Sequence, residues 1–121
     1  MQGCKQLLFS FVLACVLFIQ GCASHNAFLY NQAIQYYSYQ QYTMAFDLFA
    51  PLARSGDPNA QYALGYLYYY GLGTVEDPMK AEYWLSQAAL QGQPLARQSL
   101  AAIDESRAKF DSKPHKIVTI Y

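Results

Sequence analysis

The chain has 121 residues, with eight basic and eight acidic side chains and a formal charge of zero. It contains no block of Lys and Arg, which excludes the electrostatic footprint of a nucleic-acid binder or of a polybasic lipid-surface binder. Its three cysteines, Cys4, Cys15 and Cys22, all fall in the first 22 residues, leaving nothing from which to build a disulfide framework in the remainder.

Residues 1–21 have the parts of an export leader. Lys5 supplies a short positive region, residues 7–19 an apolar run, and Gly21 a small residue ahead of a cut. The run is shorter than the roughly 20 residues a spanning helix needs. It stops at Ile19-Gln20-Gly21-Cys22, a tetrad that resembles the lipobox of bacterial lipoproteins, with Ile where Leu is usual. The resemblance implies cleavage before Cys22, multiple acylation of that cysteine, and a lipid anchor in the bacterial cell envelope. Two or more acyl chains hold a protein stably where one does not. Ala23 in the next position, in place of Asp, implies sorting to the periplasmic face of an outer membrane. An uncleaved anchor and a leader cut elsewhere are the competing readings. Loss of the leader removes Lys5 and leaves seven basic residues against eight acidic ones. The organisation expected is a lipoprotein signal peptide over 1–21, a lipidated linker over 22–26, a helical domain over 27–113 and an extended tail over 114–121.

Shifted by 36 positions, the helical domain matches itself. Ala45, Leu48, Phe49, Leu52, Ala53 and Gly56 fall on Ala81, Trp84, Leu85, Ala88, Ala89 and Gly92. Pro58, Ala60 and Leu64 fall on Pro94, Ala96 and Leu100, and Ala27 and Tyr30 on Ala63 and Tyr66. A period in the thirties marks a helical repeat array. Within one unit, Asp57 caps a helix opening on Pro58. Ala60, Ala63, Leu64, Leu67 and Tyr68 recur at helical spacing. Gly71-Leu72-Gly73 ends this helix; it follows a helix and lacks the lysine of a phosphate loop. Asp77 and Pro78 open the next helix, with Ala81, Trp84, Leu85, Ala88 and Ala89 on its apolar face and Gly92 at its end. Gly65 costs about 1 kcal/mol in mid-helix relative to alanine, which close approach of the partner helix would offset.

The positions Ala60, Leu64, Gly65, Tyr68, Gly71, Gly73, Val75, Asp77, Ala81, Trp84, Ala88, Ala89 and Gly92 together resemble the Sel-one-like repeat, a relative of the tetratricopeptide repeat. The resemblance covers one complete unit. An earlier unit fits in its second half, and a last unit keeps only its first helix, from Pro94. The expected fold is all-α: a short, right-handed solenoid of antiparallel helix pairs, about two and a half units and five helices. The resemblance implies scaffolding through protein–protein contacts.

No catalytic constellation is legible. His25 and His115 stand apart from any nucleophile, Asp104 and Glu105 point to different sides of a helix, Glu82 has no obvious partner, and metal-ligand spacing is missing. No cofactor is expected, and the chain is read as non-enzymatic. Tyrosine is the unusual component: all twelve lie beyond residue 21. Tyr62, Tyr66 and Tyr69 fall opposite the apolar face of their helix, and Tyr30 falls in register with Tyr66. In a solenoid, the first helices of successive units line a concave surface, and tyrosine suits interfaces. Two readings stay open: these rings bind a partner, or they pack between neighbouring first helices. Tyr36, Tyr37, Tyr39 and Tyr42 cluster at the first turn. The tail ends in a β-branched and aromatic stretch, residues 116–121, that suits addition to a partner's sheet edge, folding back on the last helix, or disorder. The function expected is an adaptor or assembly scaffold in the cell envelope that engages an envelope protein. The alternative is a peptidoglycan- or glycan-binding lipoprotein that stacks sugars of the wall polymer on its tyrosines.

Overall fold

The computed structural model describes residues 2–111. It contains five helices in these residues: α1 (Gln2–Ser38), α2 (Tyr42–Arg54), α3 (Pro58–Tyr70), α4 (Pro78–Leu90) and α5 (Pro94–Asp111). Each packs chiefly on its neighbours in sequence, the nearest-neighbour arrangement of a solenoid. The short connections 39–41, 55–57 and 91–93 force consecutive helices to run antiparallel. The architecture is therefore two helix pairs, α1–α2 and α3–α4, followed by α5. The expected tail, 114–121, lies outside the described residues. The 22–26 segment, expected as a linker, is continuous helix within α1. No helix among the described residues is long and apolar enough to cross a membrane.

The helix ends follow from single residues. Asp57 Oδ1 accepts hydrogen bonds from the backbone N–H groups of Asn59 (2.9 Å) and Ala60 (2.8 Å), satisfying donors that have no partner in the first turn. Asp77 Oδ1 does the same for Lys80 N–H at 3.0 Å, and Gln93 Oε1 for Ala96 N–H at 2.9 Å. Each of the three helices these residues start has proline as its first residue. Gly71 stops α3 in the left-handed conformation, at φ 63°, its N–H reaching the Leu67 carbonyl. The position 36 earlier is Gln35, which has no such freedom. Helix α1 therefore continues one more turn, to Ser38, before the chain reverses with Gln40 at φ 60°.

The core is built largely from alanine, which lets helix axes close on one another. One cluster joins Ala33 of α1, Ala45, Phe49, Ala50, Leu52 and Ala53 of α2, and Ala60, Leu64 and Leu67 of α3. A second joins Leu85, Ala88 and Ala96 across α4 and α5. Tyr68 and Trp84 pack against the first cluster, and Ala89 against the second. The Tyr68 ring meets Phe46 edge-on at 5.3 Å and lies 5.3 Å beneath Lys80 Nζ. At Gly65 α3 lies close against α4: a Cβ there would lie 2.8 Å from Leu85 Cγ and 3.1 Å from the Ala81 carbonyl oxygen.

A polar clasp fastens the repeats. Buried Gln61 donates through Nε2 to the Ala53 carbonyl at 3.2 Å, and its Oε1 accepts from Gln91 Nε2 at 2.8 Å. Gln91 Nε2 also donates to the Gly56 carbonyl at 3.0 Å. One repeat later, Arg97 Nε donates to the Ala89 carbonyl at 3.3 Å, the counterpart of the Gln61–Ala53 bond 36 positions on. A buried amide must find partners, and here those partners bind the end of α2, the start of α3 and the end of α4 together.

Candidate functional site

The first helices of the units, α1, α3 and α5, share one side of the molecule, and two recesses lie between them. The larger, about 320 Å³, lies between α1 and α3 and is walled by Tyr30, Ile34, Tyr37, Tyr62 and Tyr66, with Phe49 and Leu67 beneath. The second, about 130 Å³, lies between α3 and α5, where Tyr66, Tyr69 and Tyr70 face Ser99, Ala102 and Ile103 over Leu85. Tyr66 is common to both.

Helical spacing explains the ladder. Tyr62, Tyr66 and Tyr70 are four residues apart and stack along α3, with Tyr62–Tyr66 centroids at 6.5 Å and Tyr66–Tyr70 at 4.6 Å. Tyr69 meets Tyr70 edge-on at 5.0 Å. Across the groove, Tyr37 meets Tyr66 at 6.4 Å and 73° and Tyr42 at 5.4 Å and 65°, while Tyr30 meets Phe49 at 5.6 Å. Edge-to-face geometry is the favoured arrangement of such rings. The rings thus pack on one another and also wall an open groove. Tyr30, Tyr62, Tyr66 and Tyr69 are all half-buried, and Tyr70 is 56% exposed. A groove wall whose rings hold each other in place loses little conformational freedom when a ligand arrives.

No residue walling the α1–α3 groove carries a formal charge at neutral pH. Burial, chiefly, pushes the Tyr30 phenol above its ordinary value of 10.0, with the negative charge of Asp57 adding to it. Burial again raises Tyr37, reinforced by the neighbouring Tyr66 hydroxyl. Below pH 10 both the folded and unfolded chains hold these protons, and stability does not respond to them. Above it, the unfolded chain releases them first and binds fewer, so stability falls as pH rises. Urea unfolding at pH 9 and pH 11 should show this loss, and it should shrink when Tyr30 and Tyr37 are both phenylalanine.

The structure adds residues that sequence reasoning did not place in the groove: Ile34, Tyr37 and Tyr70. The 36-residue shift puts Ile34 on Tyr70, and that was the available signal. Tyr37 falls on Gly73, a turn position in that register; the extra turn of α1 carries it into the groove instead. One expectation is corrected. Glu82, read as lacking a partner, pairs with Arg107, because α5 packs across α4 and brings residue 107 over residue 82. The Gly71-Leu72-Gly73 loop closes onto α2: a Cβ on Gly73 would lie 2.4 Å from the Tyr42 carbonyl. Among the described residues no group of three or more His, Cys, Asp or Glu side chains could hold a metal ion. The Cys22 backbone lies in α1.

Stacked antiparallel pairs with a nearest-neighbour core and a shared first-helix face define a short α-solenoid repeat protein. Residues 58–93 match the family model of the Sel1 repeat. A Sel1 repeat protein from Oxalobacter formigenes of known crystal structure superposes with a TM-score of 0.62 and 32% identity, covering 64% of this chain and 24% of that one. An uncharacterized Sel1-like repeat-containing protein of Schizosaccharomyces pombe is 36% identical over a stretch covering 46% of this chain and 10% of the relative. The chain thus carries a Sel1-like repeat over residues 58–93, and it spans a tenth of that relative and about a quarter of the solved structure. Sel1 repeats in general are helical modules of protein–protein interaction.

Proposed function

We propose that this protein is a non-enzymatic adaptor of the bacterial cell envelope, held by lipid at Cys22 on the periplasmic face of the outer membrane. It presents its first-helix face to a partner protein. The observation that carries this reading is the uncharged, tyrosine-walled groove between α1 and α3 of a protein-interaction repeat. Tyr30, Tyr62 and Tyr66 supply large apolar bodies with hydroxyl tips, the combination that recurs at binding hot spots; Tyr69 extends the same face toward α5. The lipid anchor rests on the Ile19-Gln20-Gly21-Cys22 tetrad.

Two measurements test the parts separately. Metabolic labelling with an alkyne fatty acid should tag the native chain and leave Cys22→Ser untagged and released from membranes; equal labelling of the two would remove the anchor. Replacing Tyr62, Tyr66 and Tyr69 together by alanine should abolish co-purification of a defined envelope protein. Retention of the native chain on sedimented wall polymer, lost in the same triple variant, would assign the rings to glycan stacking instead.

A further inference from the structure

A third recess lies at the end of the first-helix face, where α5 finishes. It measures about 530 Å³ and is lined by Tyr69, Tyr70, Glu76, Glu82, Arg107 and Phe110 among others. Arg107 is already committed, pairing with Glu82 and lying 3.8 Å from Asp104. Glu76 forms no ion pair among the described residues. Two lining carboxylates, Glu76 and Glu82, against the one guanidinium leave the recess negative, and the carbonyl end of the α5 dipole adds partial negative charge at the same place. Tyr69 and Tyr70 supply an apolar wall beside it.

The segment that follows α5 has the complementary chemistry. Residues 112–121 contain Lys113, His115 and Lys116, no acidic side chain, and an apolar finish of Ile117, Val118, Ile120 and Tyr121. Ten extended residues reach about 33 Å, and the 13 residues of α3 measure about 20 Å. An extended segment of that length is long enough to reach along α3 from the end of α5. The residue before a proline is biased to extended backbone, which disfavours continuing a helix through residues 113–114.

We propose that residues 112–121 dock in this recess. Lys113 and Lys116 lie against Glu76 and the end of α5, and the apolar finish lies over Tyr69 and Tyr70. The tyrosine face is then divided: the α3–α5 end is occupied by the protein's own chain, and the α1–α3 groove is left for a partner. This docking is intramolecular and stands or falls independently of any partner.

The test uses the full chain with Ile120 replaced by p-benzoylphenylalanine, irradiated at low concentration, with the adducts mapped by peptide mass spectrometry. The expected result is an intramolecular cross-link to residues 66–82. It should fall at least about five-fold in Lys113→Glu with Lys116→Glu, and return when Glu76→Lys is added to that pair. An unchanged melting temperature verifies that each variant folds. Cross-links only to a second molecule, none within the chain, or a yield indifferent to the charge reversal would overturn the proposal.

Discussion

Replacing Gly73 by alanine should lower the melting temperature by at least ~10 °C, the largest effect of any methyl-sized change in the molecule. Two penalties coincide at this residue. Its φ of 71° lies in the left-handed region, which costs a side-chain-bearing residue roughly 1–3 kcal/mol. The new Cβ would also lie 2.4 Å from the Tyr42 carbonyl carbon and oxygen and 2.6 Å from Thr43 N. These are backbone atoms at the start of α2, so relief requires moving the loop away from the helix pair before it. Overpacking of this kind adds roughly 1–3 kcal/mol. A domain of this size holds roughly 5–15 kcal/mol in total and shifts by about 4–8 °C per kcal/mol. Gly56→Ala is the matched control. Its φ of 98° is also left-handed, but nothing lies within 4 Å of the added methyl, so only the conformational penalty remains. Thermal unfolding followed by circular dichroism should separate the two; equal losses would mean that the loop does not rest on α2.

Leu85→Ala should cost about 2–5 kcal/mol, the range for a leucine that is buried and close-packed; Leu85 is 2% exposed. The informative measurement is the cycle with Gly65. Alone, Gly65→Ala gains about 1 kcal/mol of helix propensity and loses more to the clash with Leu85 Cγ at 2.8 Å. With Leu85 truncated, that clash disappears and the new methyl fills part of the cavity. The double variant should therefore be more stable than the sum of the singles by about 1 kcal/mol. Rescue stays incomplete, because the Ala81 carbonyl oxygen at 3.1 Å is backbone and does not retreat. Strict additivity in urea unfolding would show that α3 and α4 do not meet at Gly65.

These residues also show why much of the fold was legible. Asp-Pro at 57–58 and 77–78 states a helix start through the carboxylate cap and the fixed proline φ, and Gly71 states a stop through the left-handed conformation. The 36-residue register then stacks the pairs without knowledge of any long-range contact. What escaped was whatever depends on side chains from different repeats meeting. The Gln61–Gln91 clasp joins residues 30 apart whose types carry no local signal, although the Arg97–Ala89 bond repeats part of it at the same offset. The Glu82–Arg107 pair needs the α4–α5 crossing. Tyr37 was misplaced because the register assumes that α1 ends where α3 does, whereas Gln35 lacks the glycine that ends α3. The tyrosine face itself is visible in the placement of Tyr62, Tyr66 and Tyr69 opposite the apolar stripe of α3; its partition into an α1–α3 groove and an α3–α5 recess required the neighbouring helices.

In-cell photo-crosslinking from position 66 tests the adaptor reading most directly, because Tyr66 walls both recesses. A photoreactive residue there, in the full chain, should yield one discrete protein adduct. The same residue at Met79, 84% exposed at the start of α4, should not. A lipidated, folded chain that gives no adduct from 66, or gives the same adducts from both positions, would contradict a partner-binding first-helix face.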